Sequence, residues 1–152
     1  MGWSVNDVVR AIIDSPELNE RLFWLKDVSD EFLEIIYRHA TALIAASRAE
    51  GFGLPLIEAA AYRVPLIVRD IPVFREIAGE HAYYFVGFTA ESLGDELRVW
   101  LGLYDAGSAP DSSNIGTCSW EATVDKIFNA ISTDRHYGII GAIDLHNRRC
   151  SG

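Results

Sequence analysis

Two acids eight positions apart, Glu50 and Glu58, bracket the run Gly51-Phe52-Gly53-Leu54-Pro55. A carboxylate accepts paired hydrogen bonds from vicinal hydroxyls and repels phosphate. The glycines let the backbone come close to a ligand, and the amides of Phe52, Gly53 and Leu54 can donate to a phosphate or a sugar hydroxyl. With Glu50 at the mouth of the turn and Glu58 about one helical turn in, the two carboxylates reach different parts of one long ligand. A nucleotide sugar, with hydroxyls at both ends and phosphates between them, is the natural partner. A plainer reading uses the same residues: Gly-x-Gly before a helix is a common connection in α/β proteins, with Glu50 a solvated loop acid and Glu58 an exposed helix residue.

This chemistry depends on the elements that flank the turn. Ala42-Leu43-Ile44-Ala45-Ala46 is short, apolar and without helical periodicity, as expected of a strand in a covered parallel sheet. Pro55 suits the first turn of a helix that continues through Leu56, Ile57 and Ala59 to Ala61. The turn therefore lies at the carboxyl end of a strand, where open α/β sheets bind ligands and helix N-termini offer unpaired N–H groups. The wider pattern alternates. Ser4 caps a helix with Val5, Val8, Val9, Ile12 and Ile13 on one face, and Asp7 holds the capping-box position. Leu22 to Leu25 reads as a strand, and Ser29 caps a helix through His39. Pro65 to Val68 is a strand, Pro72 to Ala78 a short helix and Ala82 to Val86 a strand. Thr89 caps a helix to about Leu103 whose core stripe is Leu93, Leu97, Trp100 and Leu101. Residues 105 to 117 read as a surface loop, and Ser119 caps a last helix through Ile131. The fold class is α/β, a parallel sheet with helices on both faces. A dinucleotide-binding dehydrogenase is disfavoured, because Leu56 stands where Gly-x-Gly-x-x-Gly needs its third glycine, and a Walker A loop is missing too.

The run from Ser47 to Ala59, Ser-Arg-Ala-Glu-Gly-Phe-Gly-Leu-Pro-Leu-Ile-Glu-Ala, resembles the signature of the group 1, glycogen-synthase-like retaining glycosyltransferases. The segment Phe23-Trp24-Leu25-Lys26-Asp27-Val28-Ser29-Asp30 before it, and Val64-Pro65-Leu66-Ile67-Val68-Arg69-Asp70-Ile71-Pro72-Val73-Phe74-Arg75-Glu76 after it, are similar to that family's flanks. The resemblance implies a Rossmann-like domain, the donor-binding C-terminal half of a GT-B fold. It implies that Glu50 meets the donor sugar, that Gly51, Phe52, Gly53 and Leu54 face sugar and diphosphate, that Glu58 takes the ribose hydroxyls and that Val28 lies near the base. The implied full-length protein is a hexosyltransferase that moves a sugar from a GDP- or UDP-linked donor to an acceptor hydroxyl in polysaccharide or glycolipid synthesis, with retention. Ile71 to Glu76 resembles mannosyltransferases of polysaccharide assembly. The alternative is a non-catalytic nucleotide-binding or interaction module.

The family's basic pair ahead of this segment has no match among the residues before Phe23, which include Arg10 and Arg21. The acceptor-binding N-terminal half has no match either. The resemblance thus implies an N-terminally truncated piece, inactive alone, with a nucleotide-sugar domain over 1–132 and a helical or partly disordered tail over 133–152.

A net charge of −9 argues against nucleic acid or an anionic membrane as this region's own partner, since both require clustered Lys and Arg. Membrane contact would come only through the missing half, at the cytoplasmic face, and a cytoplasmic location is the expectation. Arg48 and Arg69, at strand ends, are the nearest candidate cations for a diphosphate. Cys118 and Cys150 form no Cys-x-x-Cys pair, and His39, His81, His136 and His146 have no metal-ligand spacing, so no metal and no cofactor beyond the donor substrate is expected.

Overall fold

The computed structural model describes residues 6–116. The chain divides into two compact units, Met1–Ile36 and Tyr37–Gly152. The first unit holds helix α1 (Asn6–Ile13) and the start of helix α2 (Asp30–His39). Ser29 caps α2 as expected, its hydroxyl accepting from the Phe32 amide at 3.3 Å. The expected strand from Leu22 to Leu25 is not formed. Leu22 makes an isolated bridge with Leu18, and its backbone is used within the preceding turn, donating to Glu17 and accepting from Asn19. An apolar run becomes a strand only when a neighbour takes its N–H and C=O groups; here the turn takes those of Leu22, and Phe23 and Leu25 remain exposed.

The second unit contains strand β1 (Leu43–Ala45), helix α3 (Leu54–Ala61), strand β2 (Leu66–Arg69), helix α4 (Pro72–Ala78), strand β3 (Tyr83–Phe85), helix α5 (Ala90–Asp105) and a 3-10 turn at Ser112–Asn114. The three strands form a parallel sheet in the order β1-β2-β3. Strand β2, in the middle, is buried at every residue, which is why it reads as an unbroken apolar run.

Alternation along the strands sorts the layers. Ile67 lies in register with Ile44 and Tyr83, and with Phe85 it packs against Trp100 of α5, with Leu93 and Leu97 beside them. Leu101, expected in that stripe, is exposed instead. On the opposite face, the Tyr84 hydroxyl donates to the carbonyl of Gly79 at 2.8 Å, just beyond the end of α4. Helices thus cover both faces, as an α/β sheet requires. The cover stops short of β1: Ile44 is 45% exposed, so the edge strand is not covered on both sides as its composition suggests.

Local signals account for the helix starts. Thr89 accepts from the Ser92 amide at 3.2 Å, and Pro72 opens α4 where its missing N–H costs nothing. Among the described residues, the loop after α5, 106–116, is less free than its composition implies. Ser112 is buried, and its hydroxyl donates to the Val64 carbonyl at 2.8 Å, tying that stretch to the end of the α3 turn. The expected helix from Ser119 and the tail from 133 lie outside the described residues, as does Ser4.

Candidate functional site

Strand β1 ends at Ala45, and the chain runs through Ala46, Ser47 and Glu50 into a turn that starts α3 at Leu54. Gly53 occupies the cap position with φ 71° and ψ 33°, a left-handed conformation, and no side chain caps the helix. A side chain at Gly53 would also bring its Cβ within 2.8 Å of Ile77 on α4. Gly51 differs: a Cβ there meets nothing within 4 Å. The first glycine borders open space, and the second is required by its left-handed backbone, with the Ile77 side chain close against it.

The amides of Phe52, Gly53 and Leu54 meet no acceptor among the described residues. Unpaired N–H groups at a helix start carry the positive end of its dipole. Next to them, Glu50 is held in place by Ser47, whose hydroxyl donates to Glu50 Oε1 at 2.6 Å. Glu50 lines a hollow of about 270 Å³ together with Ile44, Ala46, Pro55 and Phe74. The hollow is walled mostly by apolar groups, so Glu50 supplies its charge.

Glu58 is not among the residues that line this hollow. It stands farther along α3, where Oε2 accepts from the Tyr37 hydroxyl at 3.1 Å. Tyr37 is nearly buried and stacks on Tyr62, ring centres 5.8 Å apart. Burial first, then the hydrogen bond to Glu58 and its charge, push the Tyr37 hydroxyl up to about 12. It is therefore a proton donor at any physiological pH, and Glu58 keeps one oxygen free for another donor. The structure thus places Glu50, Gly51, Phe52, Gly53 and Leu54 together in one turn, and Glu58 in the same helix under a separate tether. Val28 lies in the first unit, ahead of α2, and is exposed.

The two arginines at strand ends differ. Arg48 is exposed, with its guanidinium 5.2 Å from the centre of the Phe88 ring. Arg69 is buried and donates from Nε to the Ala46 carbonyl at 3.1 Å and from Nη1 to the Gly87 carbonyl. That occupation differs from the phosphate contact its position in the sequence suggests. The Tyr37–Glu58 bond spans 21 residues, and no local pattern announces it.

The loop after β2 is fixed by Asp70 and Arg75, joined by two hydrogen bonds of 2.7 and 2.8 Å. The Arg75 guanidinium holds the Asp70 carboxyl below its usual range. This bridge sets the start of α4, which carries Phe74 to the hollow and Ile77 to Gly53. No group of acids, histidines or cysteines among the described residues could hold a metal ion, and no helix among them is long and apolar enough to cross a membrane.

Comparison with known proteins gives a consistent picture. The sequence pattern of the family described as "Glycosyl transferases group 1" matches residues 1–106. The serotype-specific mannosyltransferase WbdA of Escherichia coli is 47% identical over 124 residues, covering 82% of this chain and 15% of that protein. The O-antigen chain mannosyltransferase RfbU of Salmonella typhimurium is 47% identical over 68 residues, covering 45% of this chain and 19% of that protein. Among solved structures, the sucrose-phosphate synthase of Thermosynechococcus elongatus superposes with a TM-score of 0.65 at 20% identity, over 84% of this chain and 34% of that one; at that identity the likeness speaks to the fold. The chain spans about 15% of the length of the WbdA relative it matches.

Proposed function

Since the chain belongs to the group 1 glycosyltransferases, with residues 1–106 under that family's pattern, we propose that it is the donor-binding domain of a retaining glycosyltransferase whose donor is a nucleotide-linked mannose. The observation that carries this reading is the turn after β1, where Glu50, braced by Ser47, borders a hollow beside an uncapped helix start. Glu50 binds hydroxyls of the sugar, and the amides of Phe52, Gly53 and Leu54 receive the diphosphate. Glu58, held by Tyr37 through one oxygen, offers the other to the ribose hydroxyls. The nucleotide is GDP or UDP, and no metal takes part.

The chemistry follows from charge. When the glycosidic bond to the diphosphate breaks, negative charge grows on the leaving phosphate, and aligned N–H donors stabilise it without reorganising. A diphosphate is already a good leaving group, so Glu50 is a positioning carboxylate and not a glycosidase acid. The acceptor and its hydroxyl are bound by a separate N-terminal domain in the full-length protein, which works in polysaccharide or glycolipid synthesis at the cytoplasmic face of a membrane.

The test is a binding and turnover screen of the full-length protein against GDP-mannose, UDP-glucose and UDP-N-acetylglucosamine, with Glu50→Ala and Glu58→Ala. The expected result is saturable binding of GDP-mannose, turnover lowered about 100-fold or more in Glu50→Ala, and affinity lowered about tenfold in Glu58→Ala. Parental binding and turnover in both variants would overturn the site.

A further inference from the structure

Arg69 is the last residue of the central strand, in register with Phe85 of β3, and only 8% of it is exposed. Burying a guanidinium is costly unless its N–H groups are satisfied, and no carboxylate among the described residues pairs with it. Its partners are two carbonyls. Nε donates to Ala46, immediately after β1, and Nη1 to Gly87, just after β3. The rings of Phe85 and Phe88 stand 5.0 and 4.8 Å from its guanidinium carbon.

The geometry points to Arg69 as a positioning residue: it binds together the two loops that leave the carboxyl ends of the flanking strands, and so fixes the chain where it enters the Glu50 turn. In a parallel sheet the carbonyls beyond the last ladder bond have no strand partner. Strands β1 and β3 lie on either side of β2, each about 4.8 Å away. A rigid fork on the middle strand reaches both sides at once, whereas an ammonium is a single point on a flexible stem. The Gly87 side of the bridge is equally constrained: Gly87 has φ 102°, and a Cβ there would lie 2.5 Å from the Ser92 hydroxyl. Arg48 stands over Phe88 as well, so the ring of the second loop meets guanidinium groups from β2 and from the chain just after β1. Ala46 lines the hollow beside Glu50, and a shift of its carbonyl moves that wall.

The consequence for the donor rests on the reading that the Glu50 turn binds it; the linkage of the loops does not. Both are measured on the full-length protein with Arg69→Lys and Arg69→Met. Backbone 15N order parameters without ligand are expected to fall over residues 46–52 and 86–88 in both variants, from about 0.85 toward about 0.6, with those of 66–68 unchanged. The dissociation constant for GDP-mannose is expected to rise about tenfold. Parental order parameters in Arg69→Lys, a fall in only one loop, or a uniform fall through β2 would overturn the proposal. Loosened loops with parental GDP-mannose affinity would overturn its consequence for the donor. Failure of the parent to bind GDP-mannose would count against the donor reading alone, and the relaxation experiment would still decide the role of Arg69.

Discussion

Removing one hydroxyl tests how Glu58 is held. In Tyr37→Phe the ring retains its stack on Tyr62, and what disappears is the bond from the Tyr37 hydroxyl to Glu58 Oε2, 3.1 Å long. A hydrogen bond to a charged acceptor contributes about 1.5–3 kcal/mol when shielded. The carboxylate end of this one is open to water, which reduces the expected loss to about 1 kcal/mol. The pH dependence identifies the group responsible. Burial, the hydrogen bond and the charge of Glu58 raise the Tyr37 pKa from 10.0 to about 12, so folding favours its protonated form. Its contribution is therefore complete below about pH 10 and is lost as pH rises through about 12. Burial also pushes Tyr83 to about 12 and raises Tyr84. Those groups titrate in parent and variant alike and cancel in the difference. Urea unfolding at pH 8, 10 and 11.5 should show the parent more stable by about 1 kcal/mol at pH 8, with the gap closing above pH 10. A gap that is absent at pH 8, or constant to pH 11.5, would refute the reasoning.

The two glycines of the turn should separate stability from binding. Gly53→Ala forces a left-handed alanine at a cost of about 1–2 kcal/mol and crowds Ile77, lowering the urea midpoint; Gly51→Ala should stay within about 0.5 kcal/mol of the parent while weakening GDP-mannose binding, and equal stability losses at both positions would contradict this division. Ser112→Ala strands the Val64 carbonyl in a buried setting and should cost about 1–3 kcal/mol in chemical denaturation; an unchanged midpoint would show that the 3-10 turn does not anchor the loop.

The parts of the fold that were legible in the sequence are those fixed by neighbours along the chain. Ser29 and Thr89 mark helix starts because a hydroxyl meets an amide three residues on, and Pro72 opens α4 because proline fits only that end of a helix. What was not legible depends on who stands beside whom. Leu22 to Leu25 has the composition of a strand, yet the preceding turn takes the backbone of Leu22. Ile44 looks as apolar as Ile67, but the order β1-β2-β3 puts it on an edge that α5 does not cover. Ser112 sits in a stretch of Gly, Ser, Pro and Asp that reads as surface, and the carbonyl that buries it is 48 residues away.

The same division runs through the site. Ser47, Glu50, Gly51 and Gly53 belong to one short stretch, so the turn, its open amides and its braced carboxylate follow from local chemistry. The groups that hold this stretch in register do not. Tyr37 reaches Glu58 across 21 residues, and Arg69 reaches Ala46 across 23. A turn of small residues is intrinsically loose, since glycine loses more freedom on ordering than any other residue. Ligand affinity suffers whenever that ordering is left to the binding step. A short local motif can therefore supply the contacts of a site but not its rigidity. In this chain a phenol and a guanidinium on either side of the motif hold Glu58 and the chain at Ala46, so on the proposed reading substitutions at Tyr37 and Arg69 should weaken donor binding although they alter no residue of the turn.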